Sequence, residues 1–229
     1  MRRVVFILAV SPFLFPGCAF SNPNDRPGHS ESVIELPRPR LTGPISVEQA
    51  LHSRRSVRSF KPEPLTLDEL SQLLWAAQGV TGVRYRTAPS AGALYPLEVY
   101  VAAGNVEGLD AGVYRYIPEA HALSAVRKGN VLSSLSRAAY WQKHAGAGAI
   151  ALVFSAVYER TTGKYGKQGI RFAHMEAGHA GQNVYLQAEA LGLGTVVIGV
   201  FMDSSVKRIL HMKDDERPLS IMPVGKPMW

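Results

Sequence analysis

The segment AIALVFSAV, Ala149 to Val157, carries no charge and a single hydroxyl. It is too short to cross a bilayer as a helix, and its length and its valine, isoleucine and phenylalanine read as a strand buried on both faces. Such a strand cannot stand at a solvent edge. It needs strands beside it and packed layers above and below, which confines the chain to a layered domain.

The neighbouring segments supply those layers. Ser46 to Ser56 reads as a first helix, with Ser46 as N-cap and Glu48 and Gln49 in the first turn. Thr66 and Glu69 form a capping box, Leu65 and Leu70 a hydrophobic staple, and Leu70, Leu73, Leu74 and Ala77 follow at helical spacing, so a helix is predicted over Thr66 to Ala77. Leu97 to Ala103 reads as a strand, Gly112 to Ile117 and Ala122 to Val126 as a hairpin, and Val131 to Gln142 as a helix. The longest helical signal runs from Ile170 to Leu191, with Ala173, Ala177, Gly178, Gly181, Val184 and Ala188 near one face, where small residues let another backbone approach. Gly192 to Phe201 and Leu219 to Val224 read as closing strands. With 229 residues, 46% of them hydrophobic and 19% charged, this is one or at most two domains. The element order is that of an α+β or α/β fold occupying residues 44–229.

The first residues have another purpose. Arg2 and Arg3 precede an apolar run from Val4 to Phe15, too short for a spanning helix, and then Gly17 and Cys18. This is an export signal over residues 1–18 whose end resembles a bacterial lipoprotein signal. Cys18 is the only cysteine, cannot form an internal disulfide, and is expected to be lipidated. Phe15 and Pro16 depart from the usual residues there, and ordinary cleavage nearby or a retained anchor are the alternatives. Residues 19–43, rich in Pro, Asn, Ser, Arg and Asp without apolar periodicity, read as a flexible tether. The expected location is the cell envelope or periplasm, with the chain held to a membrane by its lipid.

Three constellations carry possible chemistry. RRSVRSF, Arg54 to Phe60, stands at a predicted helix end, where the dipole favours arginine, yet Arg54, Arg55, Ser56 and Arg58 are also the donor types of a phosphate cradle. Composition alone leaves both readings open. The net charge of +7 suits anionic partners in general, but the heptad has no interleaved aromatics and export removes the chain from most nucleic acid, so no nucleic-acid partner is expected. APSAGALYPLEVYV, Ala88 to Val101, has Gly92 and small neighbours against which a flat ligand could lie, or is an ordinary entrance to a strand. Lys164 and Tyr165 are a candidate proton-transfer pair or simply surface. His174 and His179, about 500° apart around a helix and without a third ligand, exclude the usual metal pairing, and no metal is expected. No dinucleotide fingerprint, P-loop or nucleophile elbow is present.

Taken in order, these pieces resemble the nitroreductase superfamily of FMN-dependent enzymes, most closely its SagB or thiazole-oxazole oxidase branch of azoline-oxidising dehydrogenases. RRSVRSF is similar to the opening Arg-Arg-Ser-x-Arg motif, PSAGALYP to the branch's Pro-Ser-Ala-Gly-Ala-x-Tyr-Pro segment, and MEAGHAGQNVYLQAEALGLG to its central helix. VIGVFMD and PVGKP resemble its closing strands. The resemblance implies an α+β fold with a mixed central sheet wrapped by helices, a homodimer, and FMN in two interface sites. It implies that Arg54, Arg55, Ser56 and Arg58 serve the FMN phosphate and ribityl end, and that Pro89, Ser90, Ala91 and Gly92 line the flavin with Gln182. It also implies that Val197, Ile198, Gly199 and Val200 meet the isoalloxazine edge, with Lys226 the substitute for a basic residue absent beyond Trp229. Lys164 and Tyr165 fall at the branch's catalytic pair. The implied function is hydride transfer between a small-molecule or peptide-derived substrate and flavin N5. The alternatives are a nitro or quinone reductase with an external electron donor, and a non-catalytic FMN-binding lipoprotein. Export away from NAD(P)H favours the dehydrogenase direction.

Overall fold

The computed structural model describes residues 33–228. The export segment, Cys18 and the larger part of the expected tether lie outside them. In chain order the described residues form β1 (Val33–Glu35), α1 (Val47–Ser53), α2 (Leu67–Gln78), β2 (Val80–Gly82), β3 (Tyr85–Arg86), β4 (Leu97–Ala103), β5 (Gly112–Ile117), β6 (Ala122–Lys128) and α3 (Leu132–Ala138). β7 (Ile150–Val157), α4 (Glu159–Tyr165), α5 (Gln168–Ala190), β8 (Gly194–Thr195), α6 (Asp203–Leu210) and β9 (Glu216–Gly225) follow.

Among the described residues one sheet of seven strands has the order β1-β6-β5-β4-β7-β9-β8, and β2 pairs with β3 apart from it. β7 is central, bonded to β4 on one side and β9 on the other, and every residue of it is buried. Its period of two divides the core. Ile150, Leu152, Phe154 and Ala156 join the layer packed by α2 and α5, while Ala151 and Val153 join the layer packed by α3 and α6. Buried groups are matched on this strand as well: Ser155 Oγ and Tyr100 Oη donate to the two carboxylate oxygens of buried Glu216, each at 3.0 Å. Burial and that carboxylate push the Tyr100 phenol well above its ordinary range.

The fold is α+β, as expected, and its sheet differs from a mixed one in degree. Every pair of named strands is antiparallel, and among the described residues the parallel component is confined to two isolated bridges, Ser56 with Thr195 beside β8 and Leu65 with Val106. Helix starts agree with their sequence signals, because Ser46 with Gln49 and Thr66 with Glu69 both close capping boxes. Helix ends do not. α1 stops at Ser53 rather than Ser56, since the backbone beyond Arg54 is extended and Val57 donates to Thr195 O. α3 stops at Ala138 rather than Gln142, because Tyr140 and Trp141 both take left-handed backbone angles. The apolar run Gly192 to Phe201 yields only the two residues of β8 and a bridge from Ile198 to Ile221, leaving Val197 and Val200 exposed. Lys164 and Tyr165, just ahead of the long helix, end a helix of their own, α4, for which the sequence reading named no element.

Residues 33–43, expected in the tether, belong to the folded body. Three residues of β1 pair with β6, and Leu36 is buried. Arg40 donates its N–H to Gln72 Oε1 and accepts from Gln72 Nε2, and Ser71 Oγ donates to Pro37 O. So short a strand, flanked by Pro37 and Pro39, shows no periodicity to read. Removing residues 1–43 strips an edge strand and leaves the buried side chains of Ser71 and Gln72 without these partners, whereas removing residues 1–30 does neither. The shorter chain is expected to lose about 3 kcal/mol, from a few hydrogen bonds and one buried leucine, seen as a lower urea midpoint against the chain that begins at Glu31.

Candidate active site

α5 lies across one face of the sheet, and its flanks divide the candidate residues into two groups. The core flank carries Ala173, Glu176, Ala180, Val184 and Ala188, all buried. A second flank, with His174, Ala177, Gly178, Gly181, Gln182 and Tyr185, floors an open cleft walled by Val197, Leu219 and Ser220. A bulge in β9 opposite Phe154 and Ser155 falls at Leu219. No backbone of the described chain packs on these small residues: nothing lies within 4 Å of a Cβ built on Gly178, and one on Gly181 meets only the Met222 and Val197 side chains. They keep the floor flat.

Tyr185, which the sequence reading did not single out, ties one end of this cleft together. Its hydroxyl accepts from the Val197 N–H at 2.9 Å and lies 3.2 Å from Ser56 Oγ, and the Arg54 guanidinium stands 5.3 Å over its ring. A tyrosine amid small residues on a long helix carried no signal that it would join two distant loops. Arg58 lies beside His144, whose pKa is lowered by burial and by this guanidinium. Arg55 is spent otherwise: its guanidinium donates to the His52, Ser53 and Arg54 carbonyls at 2.8 to 3.2 Å, which closes the end of α1. The helix-end reading of RRSVRSF therefore holds for Arg55, while Arg54, Ser56 and Arg58 face outward with donors to spare. Ile198 is buried in its bridge to Ile221, Gly199 and Val200 are exposed, and Lys226 Nζ is bound to Glu69 Oε1 at 2.6 Å.

The second group gathers at the other end of α5. Gly92, at φ +63°, sits so close to the end of α4 that an added Cβ would lie 2.7 Å from Tyr165 Oη and 3.1 Å from Lys164 Nζ. Tyr165 packs edge-on against Phe172 of α5, and Lys164 Nζ lies 5.3 Å from the Tyr165 ring centre. The PSAG segment and the Lys-Tyr pair, distant in sequence, thus form one surface. Ala93 and Tyr95 also have positive φ, a concentration of left-handed residues that the surroundings must hold in place.

Beneath that turn lies Glu176, 2% exposed. Its Oε1 accepts from Gln78 Nε2 at 3.3 Å, while Oε2 has no partner of hydrogen-bond geometry among the described residues. Burial raises its pKa to about 7, against the opposing pull of Ser90, Gln78, Arg86 and Arg160. An unfolded chain would release this proton near the ordinary value of 4.5. Between those values the folded state holds the extra proton, so Glu176 lowers stability as pH rises through that window. Glu176→Gln should therefore gain on the wild type between pH 5 and pH 8, by about 3 kcal/mol in urea unfolding; a constant difference would refute the assignment.

Comparison with known proteins agrees with this geometry. The Nitroreductase family model matches residues 51–226. A nitroreductase-type protein of Methanocaldococcus jannaschii is 50% identical over 183 residues, 80% of this chain and 91% of its own length. The microcin B17-processing protein McbC of Escherichia coli is 36% identical over 208 residues, covering 85% of this chain and 71% of McbC. Among solved structures, a nitroreductase-type protein of Ralstonia eutropha superposes with a TM-score of 0.76 at 33% identity, covering 88% of this chain and 92% of that one. A sheet built on β7, a long helix with small residues along one flank, and a Lys-Tyr pair seated on a PSAG turn are the setting in which these matches fall: the chain is an oxidoreductase that belongs to the nitroreductase family, in its SagB-type branch.

Proposed function

We propose that this chain is an FMN-dependent dehydrogenase acting on a peptide-derived or other small-molecule substrate. The observation that carries the reading is the seating of Gly92 against Tyr165 Oη and Lys164 Nζ, because it sets a candidate acid–base pair on the turn that the family resemblance gives to the flavin. The likeness to a microcin-processing protein supports the substrate class.

The donor set suits FMN. Arg54, Ser56 and Arg58 offer guanidinium and hydroxyl donors of the kind a phosphate takes, and the floor at Ala177, Gly178 and Gly181 is flat enough for a ring system to approach. FMN, when bound, supplies the two-electron step through its N5. The chain's part is position and proton handling: Lys164 and Tyr165 would take up the proton that the substrate loses when its hydride, carrying the electron pair, goes to the cofactor, and Tyr165 is kept in place by Phe172.

The two groups of residues do not meet within one chain. Tyr185 and Phe172 are thirteen positions apart on α5, about 20 Å along its axis at 1.5 Å per residue, and they point to different flanks. This separation supports a homodimer in which RRSVRSF of one subunit and the PSAG–Lys-Tyr surface of its partner complete each site.

Three measurements test these statements. Arg54→Ala with Arg58→Ala should weaken FMN binding by about tenfold or more, for two lost charge-assisted contacts, with little change in the urea midpoint. Lys164→Ala with Tyr165→Phe should keep the yellow spectrum and lower oxidation of an azoline-containing peptide by about a hundredfold or more; undiminished turnover removes the pair from catalysis. Co-assembly of those two double variants, at an FMN concentration too low to load the arginine variant, should restore about a quarter of wild-type turnover per chain, since half the dimers then carry one intact site. No recovery, with mixed dimers demonstrated, rules out a shared site.

A further inference from the structure

The turn beneath the proposed catalytic pair is strained, and three of the residues that hold it also act on one buried acid. Ala93 and Tyr95 carry side chains at φ 53° and 45°, a left-handed conformation that side chains disfavour and the surroundings must hold. Tyr95 is clamped on every side. Its N–H donates to Ser90 Oγ at 2.9 Å, its hydroxyl donates to Arg84 O at 2.8 Å and accepts from the Arg86 N–H, and its carbonyl accepts from Arg160 at 3.0 Å. The Arg86 guanidinium lies 4.4 Å over its ring. Ser90, Arg86 and Arg160 are also groups that act on the Glu176 carboxyl, together with Gln78, which accepts from Arg86 and donates to Glu176. From α2, β3, the turn and α4, the charged groups that face Glu176 are Arg86 and Arg160; Glu119 and Glu98 are bound to those two in turn.

We propose that Glu176 is a positioning residue for the Lys164–Tyr165 pair: in its neutral form it leaves Ser90, Arg86 and Arg160 to hold Tyr95, and so keeps Gly92 seated against the tyrosine hydroxyl and the lysine ammonium. A neutral carboxyl asks little of its neighbours. An ionised one, buried and with Oε2 unpartnered, draws the Ser90 hydroxyl and both guanidinia toward itself, and these are the contacts that offset the strain at Ala93 and Tyr95. Loss of one proton within the core thereby loosens the turn. The importance of the pair rests on the proposed function; the coupling between Glu176 and the turn does not.

Hydrogen–deuterium exchange of the whole protein, without added FMN, reads the turn directly. The Ala93 and Tyr95 amides are bonded to Ser90 O and Ser90 Oγ, so their protection reports whether the turn is held. Protection of the segment 90–95, taken relative to the β7 amides, is expected to fall about tenfold between pH 6 and pH 8 in the wild type. Glu176→Gln, which keeps an acceptor and cannot ionise, should hold the wild-type pH 6 value at both. Glu176→Leu, which cannot ionise either, should likewise show no fall between the two pH values. A flat wild-type response, or a fall of the same size in the Gln variant, overturns the proposal. Because no cofactor or substrate enters the measurement, a protein that binds no FMN can still pass it, and an active flavoprotein can still fail.

Discussion

Two-sided burial of β7 is the constraint on which the rest depends. A strand with no solvent face must have hydrogen-bonded neighbours along its whole length, and β4 and β9 supply them in nearly continuous register. It must also have cover above and below, and the apolar faces of α2 with α5, and of α3 with α6, are what that cover consists of. Once α5 is pinned by its core flank of Ala173, Ala180, Val184 and Ala188, its other residues have no freedom in where they emerge. Position 185 must arrive beside the loop after β8, and position 172 beside the end of α4. The candidate site is in this sense a by-product of how a long helix is packed.

Much of this was legible beforehand, for a reason that can be stated residue by residue. The N-cap at Ser46, the capping box at Thr66, the alternation in Leu97 to Ala103 and the apolar run of β7 are local patterns, and local patterns survive into the fold. What was not legible is what tertiary contacts decide. The run Gly192 to Phe201 is apolar enough for a strand, but only Gly194 and Thr195 find a ladder, and Val197 is turned out to 44% exposure with its N–H on Tyr185. Arg55 looked like the other arginines of its heptad, and only the position of three carbonyls separates it from them. Lys226 looked free and is held by the same glutamate that caps α2.

The division of candidate residues between two flanks of α5 bears on how such a site can be completed. Within one chain the arginine heptad and the Lys-Tyr surface cannot serve the same small ligand unless it spans about 20 Å. In the homodimer proposed above, the heptad of each copy would lie against the far flank of the other without any change in either fold. In that arrangement the exposed residues at the tips, Val197 and Val200 among them, would have a reason to be apolar that the isolated chain does not provide.

Glu216 and Glu176 show how differently a core can treat a carboxyl. Both are almost wholly buried. Glu216 is given a hydroxyl for each oxygen, from Tyr100 and Ser155, and the arrangement is a settled piece of structure. Glu176 receives one amide, the two guanidinia that act on it are bonded to other partners, and one of its oxygens is left over. A core evolved only for stability would replace such a residue by glutamine or leucine at little cost in volume, since an unpaired buried acceptor is among the more expensive features a fold can keep. Its presence directly behind the turn that seats Lys164 and Tyr165 places the cost where a protonation-dependent contact can act on chemistry, and not in the hydrophobic layers that hold the sheet.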